Sequence, residues 1–121
     1  MSTKSLNKAK GAKGEAIAYN HLTNNGYTIL ETNYKTKFGE IDIIATKGTY
    51  TVFIEVKYRT TTAYGTPKEA VNYPKMQKIQ RVATAYIQKK ALHNSYFRFD
   101  VIEVTENNGI AINHIENAFT M

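Results

Sequence analysis

Two acids and one lysine near the middle of the chain are the residues best suited to chemistry. Glu55 and Lys57 alternate in a strand-like run, Tyr50–Arg59, so their side chains share one face about 6.6 Å apart. Asp42 lies in the preceding strand-like run, and the segment 47–49 between the two runs has hairpin length. A register that places Asp42 near Glu55 would therefore bring two carboxylates and one ammonium together.

Such a group is typical of a divalent-metal site. Two carboxylate oxygens, with the Val56 carbonyl as a further candidate ligand and several water molecules, form the octahedral oxygen shell that Mg²⁺ or Mn²⁺ prefers. A metal held by Asp42 and Glu55 would lower the pKa of a bound water and neutralise charge on a phosphate. Lys57 would hold the attacking water or stabilise the transition state as a nearby cation. The pattern predicts hydrolysis of a phosphate ester.

A third acid, Glu15, lies in the first predicted helix, which runs from Lys8 to Asn25. The apolar residues of this helix recur at three- and four-residue steps: Ala12, Ala16, Tyr19 and Leu22. Glu15 falls about 20° from Leu22 around the helix, which places its carboxylate on the apolar stripe. We expect an internal partner for Glu15, either a metal ion or a water bound to it.

Each of these residues also has a purely structural interpretation. A Glu-x-Lys pattern on a strand is common by chance, and on its own it indicates a solvated edge. The acids could pair internally with Lys57 and Arg59, and Glu15 could be satisfied inside the fold. A metal site is favoured because the three acids occur together in a chain with an excess of basic residues.

The remaining elements position these residues. After the first helix we predict three strands, a second helix and two strands, at Tyr27–Thr32, Glu40–Thr46, Tyr50–Arg59, Pro74–Leu92, Tyr96–Thr105 and Ile110–Ile115. The segment 66–69, Thr-Pro-Lys-Glu, has the form of a helix capping box. Because a helix between strands implies a crossover, we predict an α/β or α+β fold. It should contain a mixed sheet of about five strands flanked by helices, in the order α-β-β-β-α-β-β.

Length and composition indicate one soluble domain. The 121 residues fit a single domain, which we place at residues 8–121, with a flexible basic tail at residues 1–7. Cysteine is absent, which excludes disulfides and thiolate metal sites. No apolar run approaches the roughly 20 residues that span a bilayer, and residues 1–13 do not have the pattern of a secretory signal. We expect a cytoplasmic location and no membrane partner.

The charge balance indicates a polyanionic partner. The chain has 16 basic and 10 acidic residues, a net charge of +6, and its pI is about 9.5. A positive excess of this size favours nucleic acid, because each phosphate contact releases counterions. The candidate contact residues are Lys13, Arg59, Lys75, Lys78 and Arg81. The last three would form one ridge of the second helix, which a solvated helix face explains equally well. For Tyr58 and Tyr64, ordinary packing is the better explanation.

The other polar residues are interpreted as structural. Arg98 and Asp100 share a strand face, and we expect them to pair with each other or with a helix end. The histidines, His21, His93 and His114, match no metal-binding spacing, and we expect none of them to bind zinc. His21 lies opposite the apolar stripe of the first helix and should be exposed.

The chain resembles a known family from about residue 9 to residue 104. The segments that carry the resemblance are Gly14-Glu15, Gly39-Glu40-Ile41-Asp42, Glu55-Val56-Lys57-Tyr58-Arg59 and Arg98-Phe99-Asp100. They are similar to those of the YraN-type family of uncharacterised bacterial proteins. That family is similar in fold to restriction endonucleases, RecB-type nuclease domains and archaeal Holliday-junction resolvases, so the resemblance implies a restriction-endonuclease-like fold.

The same resemblance implies roles for individual residues. Asp42 and Glu55 look like the metal carboxylates, and Lys57 looks like the lysine of the nuclease motif. Glu15 resembles the helix-one glutamate of the resolvase branch. One difference is that Ile41 stands where the name of the motif has proline.

The leading hypothesis is a Mg²⁺- or Mn²⁺-dependent endonuclease that hydrolyses phosphodiester bonds. The resemblance favours DNA over RNA, and the similarity to resolvases suggests branched or damaged DNA. A homodimer would supply two sites for a symmetric substrate. Two alternatives stay open: a non-catalytic nucleic-acid-binding module of the same fold, and a scaffold that docks onto a replication or repair partner.

Overall fold

The order of helices and strands is the predicted one. The computed structural model describes residues 3–60, 72–92 and 95–120, with side chains from residue 11 onward. The elements are α1 Thr3–Asn24, β1 Thr28–Thr36, β2 Gly39–Lys47, β3 Tyr50–Arg59, α2 Tyr73–Lys89, β4 Tyr96–Glu106 and β5 Ile110–Phe119. The predicted capping box at 66–69, Tyr64 and His93 lie outside the described residues. Within the described ranges, no helix is long and apolar enough to cross a membrane.

The strands form one mixed sheet in the order β1-β2-β3-β4-β5. Neighbouring strands are antiparallel, except that β3 and β4 are parallel and pair from Tyr50↔Tyr96 to Arg59↔Thr105. The chain passes through α2 between these two strands, as a parallel connection requires. The predicted α/β class and the five-stranded mixed sheet flanked by helices are confirmed.

The two helices cover opposite faces of the sheet. One face of α2 is apolar and packs on the sheet, and its buried residues are Ile79, Val82, Ala83, Tyr86 and Ile87. They pack with Phe53 on one face, while α1 packs through Ala18 and Leu22 on the other face, against Val52 and Ile54. β3 is therefore buried on both sides, which explains why the apolar residues Val52, Phe53 and Ile54 follow one another. Glu55 and Lys57 alternate with Phe53 and so belong to the α2 face.

The buried face of α1 differs from the predicted stripe. The buried positions are Gly14, Ala18 and Leu22, and the exposed positions are Ala12, Ala16 and Tyr19. The small residues at 14 and 18 allow the helix backbone to lie close to the sheet, and this contact sets the rotation of the helix. Glu15 flanks this face and is half-buried. The helix also begins at Thr3, five residues before the predicted start at Lys8, so most of the segment expected to be a tail is helical.

The close approach of α1 to β3 makes a testable prediction at Gly14. A β-carbon at this position would lie 2.8 Å from Cβ of Tyr58, and neither atom can move without its backbone. We expect Gly14→Ala to lower the free energy of unfolding by about 1–3 kcal/mol, as overpacking does. Gly11→Ala is the matched control, because its β-carbon would have no described atom within 4 Å. The control should gain up to about 1 kcal/mol from helix propensity. Urea unfolding of both variants measures the difference, and equal effects would contradict the close contact.

A buried polar network lies on the α1 side of the sheet. The side chain of Asp100 is fully buried and accepts hydrogen bonds from Arg98 Nε at 2.8 Å and Arg98 Nη2 at 2.9 Å. The predicted pairing of these two residues is confirmed. The backbone N–H of Asn117 donates to the same carboxylate at 3.0 Å, and His114 Nε2 lies 2.7 Å from it.

The network extends to the first helix through a pair of histidines. His21 Nε2 lies 3.1 Å from His114 Nδ1, and His21 is half-buried. The prediction that His21 is exposed is therefore wrong. The physical reason is that β5 brings His114 against the end of α1, a contact between residues far apart in the chain. Burial is the main cause that lowers the pKa of His21, and His114 adds to it.

Candidate functional site

The cleft that contains the candidate acids forms where β2 separates from β3. The ladder between these strands runs from Lys47↔Tyr50 to Ile43↔Ile54. The next residue of β2 is Asp42, and its side chain takes the place of a backbone partner. Oδ2 of Asp42 accepts a hydrogen bond from the backbone N–H of Val56 at 2.8 Å. This contact holds the Asp42 carboxylate beside the segment of β3 that carries Glu55 and Lys57.

The same irregularity changes the faces of β2. The sequence predicts Ile41, Ile43 and Ala45 on one face, but Ile41 packs in the core under α2, whereas Ile43 and Ala45 pack under α1. The alternation of side chains between the two faces of the sheet fails at Asp42, because the hydrogen-bonded pairing with β3 ends at Ile43. In the opposite strand, Asn33 has a positive φ of 52°, so β1 is irregular at the same level.

Glu55 is the most buried of the candidate site residues, with 4% of its surface exposed. Its Oε2 lies 3.2 Å from Nζ of Lys75, which reaches the cleft from the first turn of α2. Its Oε1 is buried and has no hydrogen-bond partner among the described residues. A buried carboxylate oxygen without a partner is costly, and it indicates a position where a cation or a donor can bind.

The carboxylates and amines of the cleft perturb one another. Burial, and then the charge of Asp42, raise the pKa of Glu55 to about 7. Burial likewise raises the pKa of Asp42, although the Val56 hydrogen bond and the charge of Lys75 oppose the shift. Burial, and then the neighbouring amine of Lys75, lower the pKa of Lys57 to about 8. A buried group of acids and bases with displaced pKa values is typical of a functional site.

The raised pKa of Glu55 predicts how stability depends on pH. The folded protein binds this proton more tightly than the unfolded chain, whose pKa is 4.5, so stability should fall as pH rises from 4.5 through 7. The expected loss is on the order of 3 kcal/mol. Glu55→Gln cannot ionise, so the difference in unfolding free energy between wild type and variant should follow this curve without metal. The same difference at pH 5 and pH 8 would contradict a raised pKa.

The three candidate acids line two different cavities. Asp42, Glu55, Lys75 and Lys78 line one cleft of about 280 Å³. Glu15 lines a different cavity, together with Thr32, Asn33 and Ile43. Among the described residues, no three His, Asp or Glu side chains are placed to hold one metal ion together. Three direct carboxylate ligands from Glu15, Asp42 and Glu55 are therefore not assembled.

Glu15 nevertheless interacts with the cleft. Burial is the main cause that raises its pKa, and the charge of Asp42 adds to it. Oriented to donate, the amide nitrogen of Asn33 lies 2.9 Å from Glu15 Oε1. This asparagine stands between Thr32 and Tyr34, whose strand partners on β2 flank Asp42. Glu15 thus has a polar partner within the fold and lies within electrostatic reach of Asp42.

The predicted basic residues are distributed unevenly. Lys75 and Lys78 line the cleft, whereas Arg81 lines a separate cavity with Phe38 and Gln77, so the predicted ridge divides along α2. Lys13 is exposed and lies 2.6 Å from Glu106, which also bonds to the hydroxyl of Tyr58. Arg59 Nε lies 3.8 Å from the buried carboxylate of Glu103.

The contact between Lys75 and Glu55 was not predicted from the sequence. The sequence at the N-terminus of α2 nevertheless contains a signal for this contact. The side chain of Asn72 caps α2, Pro74 follows, and Lys75 stands in the first turn, where no acidic residue is present. A cation at this position opposes the helix dipole, so a lysine there indicates an anionic partner outside the helix. The partner itself, 20 residues earlier in the chain, follows only from the packing of α2.

Comparison with known proteins gives the family. The model of a family described as "Uncharacterised protein family UPF0102" matches residues 14–104. The chain belongs to this UPF0102 family. A UPF0102 protein of Alkaliphilus metalliredigens (strain QYMF) is 51% identical over 114 residues, which is 94% of this chain and 100% of the relative. A UPF0102 protein of Clostridium botulinum (strain 657 / Type Ba4) is 53% identical over 117 residues, with 93% and 95% covered.

The resemblance to the YraN-type family is thereby confirmed, because UPF0102 is that family. The segment that matches the UPF0102 model includes the cleft residues Asp42, Glu55 and Lys75, together with Lys57 and Glu15. The family is described as uncharacterised.

Proposed function

We propose that this chain is a metal-dependent endonuclease that hydrolyses phosphodiester bonds, with Mg²⁺ or Mn²⁺ held by Asp42 and Glu55. The observation that carries the proposal is the buried Oε1 of Glu55, which has no hydrogen-bond partner among the described residues and lies in a cleft shared with Asp42. A divalent cation would bind the oxygen of Glu55 that Lys75 leaves free, and Asp42 would supply its second carboxylate. The two amines beside it, on Lys57 and Lys75, suit the negative charge of a phosphate.

The donor set fits a hard divalent cation. Mg²⁺ and Mn²⁺ take oxygen ligands and commonly use one or two carboxylates, with water completing the shell. Asp42 and Glu55 supply these carboxylates. Oδ2 of Asp42 is engaged by Val56 N–H, which fixes the side chain and leaves Oδ1 as the candidate ligand atom. When bound, such an ion supplies charge neutralisation on the phosphate and activation of water.

Lys57 and Glu15 would act on the water and the phosphate beside the ion. Lys57 lies on the same strand face as Glu55, and its lowered pKa of about 8 allows a neutral fraction near physiological pH. It would position the attacking water or stabilise charge on the phosphate. Glu15 would act from the α1 side through a water molecule, because it does not join the other two acids in one group.

The substrate class follows from the charge of the whole chain. A net charge of +6 favours a polyanion, and Lys78 extends the positive surface beside the cleft. We propose DNA as that polyanion, with branched or damaged DNA as the first substrates to test and with Arg59 and Lys13 as further phosphate contacts. Arg81 lines another cavity, so it would contact only a substrate that extends along α2. A homodimer would suit a symmetric junction.

The direct test is a nicking assay on supercoiled plasmid and on branched synthetic DNA, with and without Mg²⁺ or Mn²⁺. We expect metal-dependent nicking by the wild type and none in EDTA. RNA of matched length and shape tests the choice of DNA. Metal-independent nicking would indicate a contaminating enzyme or a different mechanism, and the absence of nicking on every substrate would contradict the proposal.

The runner-up is a non-catalytic nucleic-acid-binding module. One observation favours it: Lys75 already neutralises one oxygen of Glu55 without a metal. In that case the wild type should bind DNA with strong salt dependence, show no cleavage, and show no rise in melting temperature with Mn²⁺. Metal binding and salt dependence measured on one preparation therefore separate the two functions.

A further inference from the structure

Lys75 occupies an unusual position for a lysine. Its backbone N–H donates to the Asn72 side chain at 3.1 Å, which fixes it in the first turn of α2. From there its side chain runs into the cleft, where Nζ lies 3.2 Å from Glu55 Oε2. Only 38% of this side chain is exposed, so much of its stem is packed in the cleft.

Neither the helix dipole nor the neighbouring amine of Lys57 favours a cation at the position of Lys75. The positive end of the helix dipole repels a lysine in the first turn, which is a site where acids are favoured. The amine of Lys57 lies close enough to Lys75 to interact with it directly. Two amines are held together here because Glu55 and Asp42 supply the compensating negative charge. The position of Lys75 is thus linked to the acids of the cleft.

We propose that Lys75 supplies the counter-charge for Glu55 in the metal-free protein, yields this carboxylate to the divalent ion, and then contacts the substrate phosphate beside Lys57. This inference rests on the proposed function, since it requires that a divalent ion binds the cleft. It makes Lys75 a second catalytic lysine, supplied by α2, in addition to the one on β3.

The two oxygens of Glu55 support such an exchange. Oε2 is bound by Lys75, and Oε1 has no partner in the described part of the chain, so a cation can approach before the lysine leaves. A lysine has a flexible four-carbon stem and a compact charge, so its amine can move several ångströms while α2 stays in place. Once Glu55 is neutralised by the ion, a phosphate oxygen becomes the anion nearest to the released amine.

The first experiment measures Mn²⁺ affinity by isothermal titration of the full-length chain without DNA. Removal of a competing cation should tighten metal binding, so Lys75→Met should lower the Kd for Mn²⁺ by about fivefold or more. Lys75→Gln, which keeps a polar end without charge, should do the same and covers the case in which the methionine variant folds poorly. Lys89→Met is the matched control, because Lys89 is an exposed lysine in the last turn of the same helix and does not line the cleft, so the Kd of this variant should not change.

The second measurement needs no metal. A double-mutant cycle compares the unfolding free energies of wild type, Lys75→Met, Glu55→Gln and the double variant in EDTA. The counter-charge role predicts that Lys75→Met destabilises the wild type more than it destabilises Glu55→Gln. With saturating Mn²⁺ and DNA, Lys75→Met should also cleave more slowly than the Lys89→Met control, despite its tighter metal binding.

The outcomes separate this inference from the function on which it rests. No Mn²⁺ binding by the wild type or by any variant would overturn the proposed nuclease. Mn²⁺ binding with the same Kd in wild type, Lys75→Met and Lys75→Gln would leave the nuclease intact and overturn the role of Lys75. Additive free energies in the cycle would likewise show that Lys75 is not the counter-charge of Glu55.

Discussion

Asp42→Asn and Glu55→Gln should each abolish the rise in melting temperature that Mn²⁺ produces in the wild type, together with any DNA cleavage. A ligand that binds only the folded state at a hundredfold excess over its Kd stabilises by about 2.7 kcal/mol. For a domain of this length the wild-type rise should be on the order of 10 °C. Both substitutions keep the shape of the side chain and remove the charge that would hold the ion. The measurement is a melting series with and without millimolar Mn²⁺, beside a nicking assay.

Two further variants make this result specific. Glu116→Gln removes an exposed acid that lies near Arg98, outside the cleft, and it should keep the full metal-induced rise. Lys57→Ala should also keep the rise but lose cleavage, because an amine acts on the water or the phosphate and is not a metal ligand. If both Asp42→Asn and Glu55→Gln retained the full rise, these acids would not be the ligands, and the binding module would become the better explanation.

The largest loss of stability is expected for Asp100→Asn. Although burial favours the neutral acid, hydrogen bonds from His114, Arg98 and the Asn117 N–H hold the pKa of Asp100 below its ordinary value. An amide cannot neutralise Arg98, and its NH₂ group would face donors on every side. Breaking a buried pair by removing one partner costs about 3–5 kcal/mol. The loss should appear in urea unfolding as a lower midpoint with an unchanged slope.

A matched control separates burial from charge. Glu116 also lies near Arg98, with its Oε1 3.8 Å from Nη2, but 59% of its side chain is exposed. Glu116→Gln should change the unfolding free energy by no more than about 1 kcal/mol, as is usual for exposed ion pairs. Where Asp100→Asn remains folded, it should retain the Mn²⁺-induced rise, since it lies in a network separate from the cleft. Equal losses in the two variants would contradict the importance of burial.

The sequence by itself determined the order of the helices and strands and, for most of them, which residues share a face. The positions of β3 and α2 were predicted from their apolar residues, which recur at every second position in β3 and at three- and four-residue steps in α2. The separation of Glu55 and Lys57 by one residue fixed them on one face of β3, as strand geometry requires. The pairing of Arg98 with Asp100 followed from the same rule. These inferences depend on local backbone geometry, which neighbouring residues specify.

The apolar patterns of α1 and β2 were too weak to predict correctly which residues face the core. The apolar residues of α1 are small or scattered, so their spacing did not reveal that Gly14 and Ala18 form the contact with the sheet. On β2, alternation predicted that Ile41 and Ile43 share a face, which is wrong because the ladder to β3 ends before Asp42. Where a ladder ends depends on the partner strand and cannot be inferred from one strand alone.

Only the tertiary structure decided which charges meet in the cleft. The crossover through α2 brings Lys75 to Glu55, and the separation of β2 from β3 turns Asp42 toward the backbone of Val56. The tertiary structure also places Glu15 beside Asn33 in a neighbouring cavity. Glu15 is half-buried, as its position on the helix predicted, but its partner is an asparagine. The physical reason is that charges interact through space at a few ångströms, whereas the sequence specifies distances along the chain. Residues 20 or more positions apart become neighbours only when helix and sheet have packed.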